Sequence, residues 1–140
     1  MSSYIKNTST FKKKDARFSD VSIGFGVNPF TKDLTRLTDV DSVKRSIKSL
    51  IMTNKHERLL DPDIGGNVRA LLFEPMIPLT ESIVEDYIKE VIKNYEPRAT
   101  LISVVVQSNY DNYSLNVTIT FKVDTSEQLQ VVDFLLERVR

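Results

Sequence analysis

No cysteine and no tryptophan occur in this chain, and histidine occurs once, at position 56. The lack of thiols excludes disulfides and thiolate-bound metals. A lone His56 excludes a histidine-rich metal site within one chain and reads as a solvated loop residue. Glycine is scarce as well, four in 140 residues. Its single cluster, Gly65-Gly66, has neither Gly-x-Gly-x-x-Gly spacing nor a Walker lysine and hydroxyl, so no phosphate cradle and no cofactor is expected. Charge of one sign is not in excess, because 19 basic side chains balance 19 acidic ones. No global field therefore draws the chain to nucleic acid or to an anionic membrane. Residues 1–17 hold no apolar stretch of signal-peptide or membrane-span length.

What is present suffices for one hydrophobic core: 140 residues allow one domain and are too few to expect two. Residues 1–17 read as a flexible polar tail. Its basic run, Phe11-Lys12-Lys13-Lys14-Asp15-Ala16-Arg17, is taken as solvated and ordered only against a partner, with phosphate contact the lesser reading. Residues 18–140 form the domain. Val21, Ile23 and Phe25 alternate with smaller or polar neighbours, as in a strand with one buried face. Asn28 to Asp33 is turn-rich before Leu34 and Leu37 resume, so a projecting β-hairpin is expected.

Asp39 or Asp41 can cap a helix whose Val43, Ile47, Leu50 and Ile51 share one face. Lys44, Arg45 and Lys48 lie elsewhere on it, and a solvated face is preferred to a basic contact surface. After a charged loop from Thr53 to Gly66, Asn67 can cap a short helix that Pro75 ends. Thr80 or Ser82 opens the clearest helix. There Ser82 and Glu85 suggest a capping box, and Ile83, Val84, Tyr87, Ile88, Val91, Ile92 and Tyr95 make a wide apolar stripe. Leu101 to Val106 is a β-branched run and Ser108 to Asn112 a reversal. Leu115, Val117, Ile119 and Phe121 then alternate strictly with Asn116, Thr118, Thr120 and Lys122. Thr125 with Gln128 reads as a second capping box, opening a C-terminal helix with Leu129, Val132, Leu135, Leu136 and Val139 inward. The fold class is α+β: one domain, a small antiparallel β-sheet covered by helices, with an N-terminal β-hairpin.

One tetrapeptide stands out, Tyr95-Glu96-Pro97-Arg98, between the apolar helix and the strand after it. A glutamate at a helix C-terminus opposes the macrodipole and needs a cation, and Arg98 is the nearest. Pro97 fixes its own φ and turns Glu96 out of helical conformation, so both charges leave from a stiff corner, expected to point outward. The plain alternative is a helix stop with a surface ion pair of about 0–1 kcal/mol.

Further motifs accompany that corner in order: Phe18-Ser19-Asp20-Val21-Ser22-Ile23, Asn28-Pro29-Phe30-Thr31-Lys32-Asp33-Leu34, Glu57-Arg58 and Leu72-Phe73-Glu74-Pro75. Together, from about Phe18 to Phe121, they resemble the small baseplate wedge proteins of contractile-tailed phages, a family shared with the type VI secretion baseplate. Glu96-Pro97-Arg98 is the most specific mark. The pattern departs at His56, where relatives often carry glycine before the Glu-Arg pair. The resemblance implies a structural subunit of the tail baseplate in the virion, assembled in the host cytoplasm. It further implies docking on the helical core bundle of the wedge through Glu96, Pro97 and Arg98, and initiation of tail-sheath polymerisation. Implied partners are the wedge helix-bundle proteins, the tail sheath protein, and other baseplate or tube proteins; nucleic acid and membrane are not among them. For the sheath, strand addition to a free sheet edge is expected, with Asn116, Thr118 and Thr120 as candidates. A type VI secretion subunit is the alternative within the family.

The alternative from another class is a lysozyme-like hydrolase. Glycoside hydrolysis needs two separated carboxylates, one desolvated and protonated. Glu57, Glu74 and Glu96 are the available acids near the motifs, but Glu57 and Glu96 have arginines close by, which lower a carboxylate pKa. That is the wrong direction for a general acid, so no catalytic residue and no enzyme are expected.

Overall fold

A computed structural model describes residues 17–75 and 77–137. The basic tail before Arg17 and Val139, which the sequence pattern predicts to pack inward, both lie outside the described residues. In order, the elements are β1 (Ser19–Val21), β2 (Arg36–Thr38), α1 (Asp39–Met52), α2 (Val68–Leu71), α3 (Pro78–Tyr95), β3 (Ala99–Asn109), β4 (Ser114–Val123) and β5 (Ser126–Glu137). The last three make one antiparallel sheet in the order β3-β4-β5, while β1 and β2 pair separately. The α+β expectation, a small sheet covered by helices plus a hairpin, is met.

The core lies between one face of the sheet and the helices. Val43, Ile47 and Ile51 of α1 and Val84, Ile88 and Ile92 of α3 meet Leu115, Val117, Ile119 and Phe121 of β4, all buried. The strict alternation in β4 therefore has the predicted meaning: Leu115 to Phe121 inward, the polar set outward. Along α3 the buried line is narrower than the sequence stripe, since Ile83 and Tyr87 stay more than a third exposed. Tyr95 instead donates its hydroxyl to the Asp63 carbonyl at 2.9 Å, fastening the loop to the end of α3.

The C-terminal segment is a strand rather than a helix. Leu129, Val132, Leu135 and Leu136 fit a 3.6-residue period, but Val132, Phe134 and Leu136 fit a period of two, and that set faces the core. Leu129 and Leu135, expected inward, are 62% and 45% exposed. The deciding feature is the Asp124-Thr125 turn, which returns the chain beside β4 with Val123 opposite Ser126. Once there, the segment pairs one side of its backbone with β4. Thr125 and Gln128 form no capping box; Ser126 Oγ accepts from the Gln128 amide at 3.3 Å.

Other local expectations also shift. Val21, Ile23 and Phe25 bury no face, being 46%, 62% and 67% exposed, and regular pairing covers only Ser19 to Val21. The arm is held by its turn: Asn28 Oδ1 accepts from the Phe30 amide at 3.0 Å, and the Asn28 amide donates to the Asp33 carbonyl at 2.8 Å. Asp39 does not cap α1. Its carboxylate accepts from the Arg17 and Phe18 amides and so ties the start of the arm to the helix. Asn67 sits at the N-cap position of α2 in left-handed conformation without a capping hydrogen bond. Helix α3 starts with Pro78 in its first turn, and Ser82 bonds back to the Pro78 carbonyl, so no Ser82–Glu85 box forms. In the loop, Gly65 has φ +132°, and a Cβ there would stand 2.5 Å from the Thr53 carbonyl oxygen.

Candidate functional site

Glu96 ends α3, with its amide still bonded to the Ile92 carbonyl and its backbone already at φ −126°, ψ 74°. That change of direction, enforced by Pro97, sends its side chain inward. Glu96 is 2% exposed, among the most buried polar residues described, whereas Pro97 is exposed and the Arg98 side chain is 30% exposed. The sequence expectation that both charges point outward therefore holds for neither residue in simple form: Glu96 is interior and Arg98 lies across it.

The pair is a two-pronged clasp. Arg98 Nε donates to Glu96 Oε1 at 2.6 Å and Arg98 Nη2 donates to Oε2 at 2.7 Å. Such a fork is the strong, directional form of a charge-assisted hydrogen bond. Ser46 of α1 comes close to the same carboxylate, and its hydroxyl favours the charged form. Burial pushes the Glu96 carboxyl up, but the hydrogen bonds from Arg98, the Ser46 hydroxyl and the Arg98 charge outweigh it and hold the group below its ordinary value. Arg98 is pushed up, mostly by its hydrogen bond to Glu96 and against some desolvation.

On its other side the Arg98 guanidinium rests over the Phe18 ring, 5.4 Å from the centroid, and Asp20 lends a further favourable charge. Four pieces of chain therefore meet at the corner: the end of α3, the start of β3, α1 through Ser46, and the arm through Phe18 and Asp20. Phe18 and Asp20 were legible only as members of a family motif. Ser46 carried no signal, because a serine on a helix has many ordinary explanations.

The second candidate region is the sheet edge, where the structure corrects the expectation. Asn116, Thr118 and Thr120 lie on β4, the central strand, and both sides of its ladder are taken. They cannot present a free edge. Of the two outer strands, β3 is closed by α3: Glu85 Oε1 accepts from the Val106 amide at 3.2 Å and Glu81 Oε1 from the Ser108 amide at 2.9 Å. Those amides point away from β4, which fixes the ladder. Val106 opposes Val117, and Val117 opposes Phe134, so the Val117 amide turns towards β5 and Phe134 bonds back to β4. The alternate residues of β5, Val131, Asp133 and Leu135, then direct their amides and carbonyls to the outside. No side chain among the described residues hydrogen-bonds to them.

The acids weighed for hydrolysis are not arranged for it. Glu96 is held charged by Arg98, and Glu57 Oε2 accepts from the Asn54 amide at 2.8 Å while Glu74 is exposed in the loop after α2. No group of three or more potential metal-ligating side chains exists among the described residues. No described helix is long and apolar enough to cross a membrane.

A three-stranded antiparallel sheet backed by two helices, with an inward-turned Glu-Pro-Arg corner, defines a baseplate wedge fold, and comparison with known proteins agrees. The family model described as "Baseplate wedge protein gp25" matches residues 37–128. The chain belongs to that family. It is 39% identical over 106 residues to the baseplate wedge protein gp25 of Enterobacteria phage T4, covering 73% of this chain and 80% of the relative. Among solved structures, a putative tail lysozyme from Geobacter sulfurreducens superposes with a TM-score of 0.64 at 22% identity, over 71% of this chain and 90% of the other. A chain of the baseplate complex from the type VI secretion system gives 0.61 at 16% identity, over 71% and 93%. At these identities the two structures show a shared fold and nothing finer. The protein is thus a structural subunit of the baseplate wedge in a contractile tail, and its place is the tail baseplate.

Proposed function

We propose that this subunit joins the helical core bundle of the wedge through its Glu-Pro-Arg corner and starts the tail sheath by accepting a sheath strand on β5. The contrast between the two sheet edges carries the reading: two glutamates close β3, while among the described residues Val131, Asp133 and Leu135 of β5 stay unpaired on their outer side. An exposed edge is a template for main-chain pairing that proteins otherwise block. At the corner, Glu96 serves as the buried support that aims the guanidinium, and exposed Pro97 with the outer side of Arg98 meets the bundle helices. The work is assembly without catalysis, because Glu96 held charged by Arg98 is unsuited to act as a general acid.

The test is Asp133→Pro. Its amide faces the open side, so proline should remove one edge donor and leave the β4 ladder intact. After circular dichroism establishes a native fold, baseplates carrying the variant are expected to assemble but to bear no extended sheath in electron micrographs. Normal sheaths on those baseplates would move sheath docking elsewhere.

A further inference from the structure

Two adjoining hollows separate the arm from α1 and from the open side of β5. The larger, about 620 Å³, has Ile23, Leu37, Met52 and Val132 as apolar lining, and the smaller, about 230 Å³, continues it past Ser46 and Ser49. Together they form a groove in the size range that holds a ligand or an inserted segment, about 300–1,000 Å³. The α1 wall is basic: Lys44, Arg45 and Lys48 follow within about one turn, and Arg58 of the loop closes the smaller end.

None of these four cations has an ion pair or side-chain hydrogen bond among the described residues. Arg45 goes further. Its Nε is enclosed, shielded from water and without an acceptor. A buried donor left unmade is unfavourable, and of the five buried polar atoms without a partner among the described residues Arg45 Nε is the one that belongs to a cation and lies beside a groove open to an outside acceptor. Carboxylates do reach the rim, but they are placed apart. Asp41 is in the first turn of α1, where the helix dipole favours it, Asp133 is on the opposite wall, and Asp20 lies on the arm beside Arg98. None of them pairs with Arg45.

We infer that this groove is a carboxylate-recognising docking site, and that its occupant is an extended acidic segment of a partner tail protein whose carboxylate meets Arg45. A carboxylate matches the guanidinium fork that Arg45 brings to the groove, and a shift of the side chain on binding gives the enclosed Nε an acceptor. Lys44 and Lys48 steer the segment, and the apolar floor takes alternate side chains of an extended chain. The course of the segment along β5 rests on the strand-addition reading; the demand for a carboxylate does not.

The experiment titrates the isotope-labelled full chain with three short synthetic peptides, followed by NMR. One alternates Glu with Val, one replaces each Glu by Gln, and one keeps Glu but carries N-methylated backbone amides. The Glu peptide is expected to shift α1 and β5 amides, and the Gln peptide to bind about tenfold more weakly or worse. Arg45→Met should cause the same loss for the Glu peptide with thermal stability equal to or above wild type, because it removes an unmade donor. Equal binding of Glu and Gln peptides would overturn the inference, as would no binding of the Glu peptide at millimolar concentration. Loss on N-methylation alone, with Glu and Gln equivalent, leaves strand addition standing and removes the carboxylate site. Loss on Glu-to-Gln exchange alone does the reverse.

Discussion

Glu96 and Arg98 act as one unit, and the unit explains why neither can be changed alone without consequence. Removing Arg98 leaves a carboxylate buried with only Ser46 as support; stripping one partner from a buried pair typically costs about 3–5 kcal/mol, and the partial exposure of Arg98 puts this case near the lower figure. Replacing both charges leaves no uncompensated ion. Arg98→Ala is therefore expected to lower the urea-unfolding free energy by about 3 kcal/mol, and Glu96→Gln with Arg98→Gln by clearly less. The double variant, folded, is the proper probe of wedge docking, and it should fail to join the bundle. Because the Glu96 carboxyl lies below its ordinary value when folded, its stabilising effect is full above the unfolded glutamate pKa and disappears as pH falls through the folded one. On the acid side of the glutamate range, the wild type should lose stability more steeply than the double variant.

His56 makes a residue-scale point of a different kind. It adopts φ +65°, the left-handed region that glycine enters freely, at the position where the family resemblance places glycine. A non-glycine residue there is strained by about 1–2 kcal/mol, and glycine would recover part of that against its greater unfolded-state freedom. His56→Gly is expected to raise the unfolding free energy by about 0.5 kcal/mol in urea melts. A decrease would mean that the imidazole makes a stabilising contact.

At the scale of elements, the decisive asymmetry is between the two sides of the sheet. Glu81 and Glu85, one helical turn apart on α3, act as substitute strand partners for β3 and protect it from pairing with another chain. Replacing both by alanine frees two amides, each loss worth about 1.5 kcal/mol, and exposes a second edge. The double variant should be less stable and should self-associate in analytical ultracentrifugation. A monomer with unchanged stability would show that those bonds are dispensable. Among the described residues nothing protects β5 in this way, and its outward side chains, Leu129, Val131 and Leu135, stay exposed. An open edge beside exposed apolar residues suits a strand completed by assembly.

The whole molecule joins these parts around one core, with the groove beside α1 running between them. The corner gathers α1, α3, β3 and the arm, so Arg98 is tied directly to the helices that back the sheet. The arm itself buries little: Phe30 at its tip is 94% exposed, and Ile23, Phe25 and Val27 each exceed 60%.

Much of this was legible in the sequence because it depends on local pattern. The β4 alternation, the apolar lines of α1 and α3, and the Glu-Pro-Arg corner at the end of a helix all follow from spacing and from what proline does to its neighbours. The motif order was enough to identify the family. What the chain could not state in advance were outcomes of partnership between distant segments. The run from Gln128 to Leu136 satisfies two periods, and only a neighbouring strand with free hydrogen-bonding groups chose between them. Glu96 looked like a surface charge until Ser46 and Phe18, from elsewhere in the chain, closed over the corner. Which edge of the sheet stays open was likewise undecided, since strand order and the reach of Glu81 and Glu85 are properties of packing. Local periodicity sets which faces are apolar; the partners those faces meet, and the hydrogen-bonding groups left without any, exist only once the chain has folded.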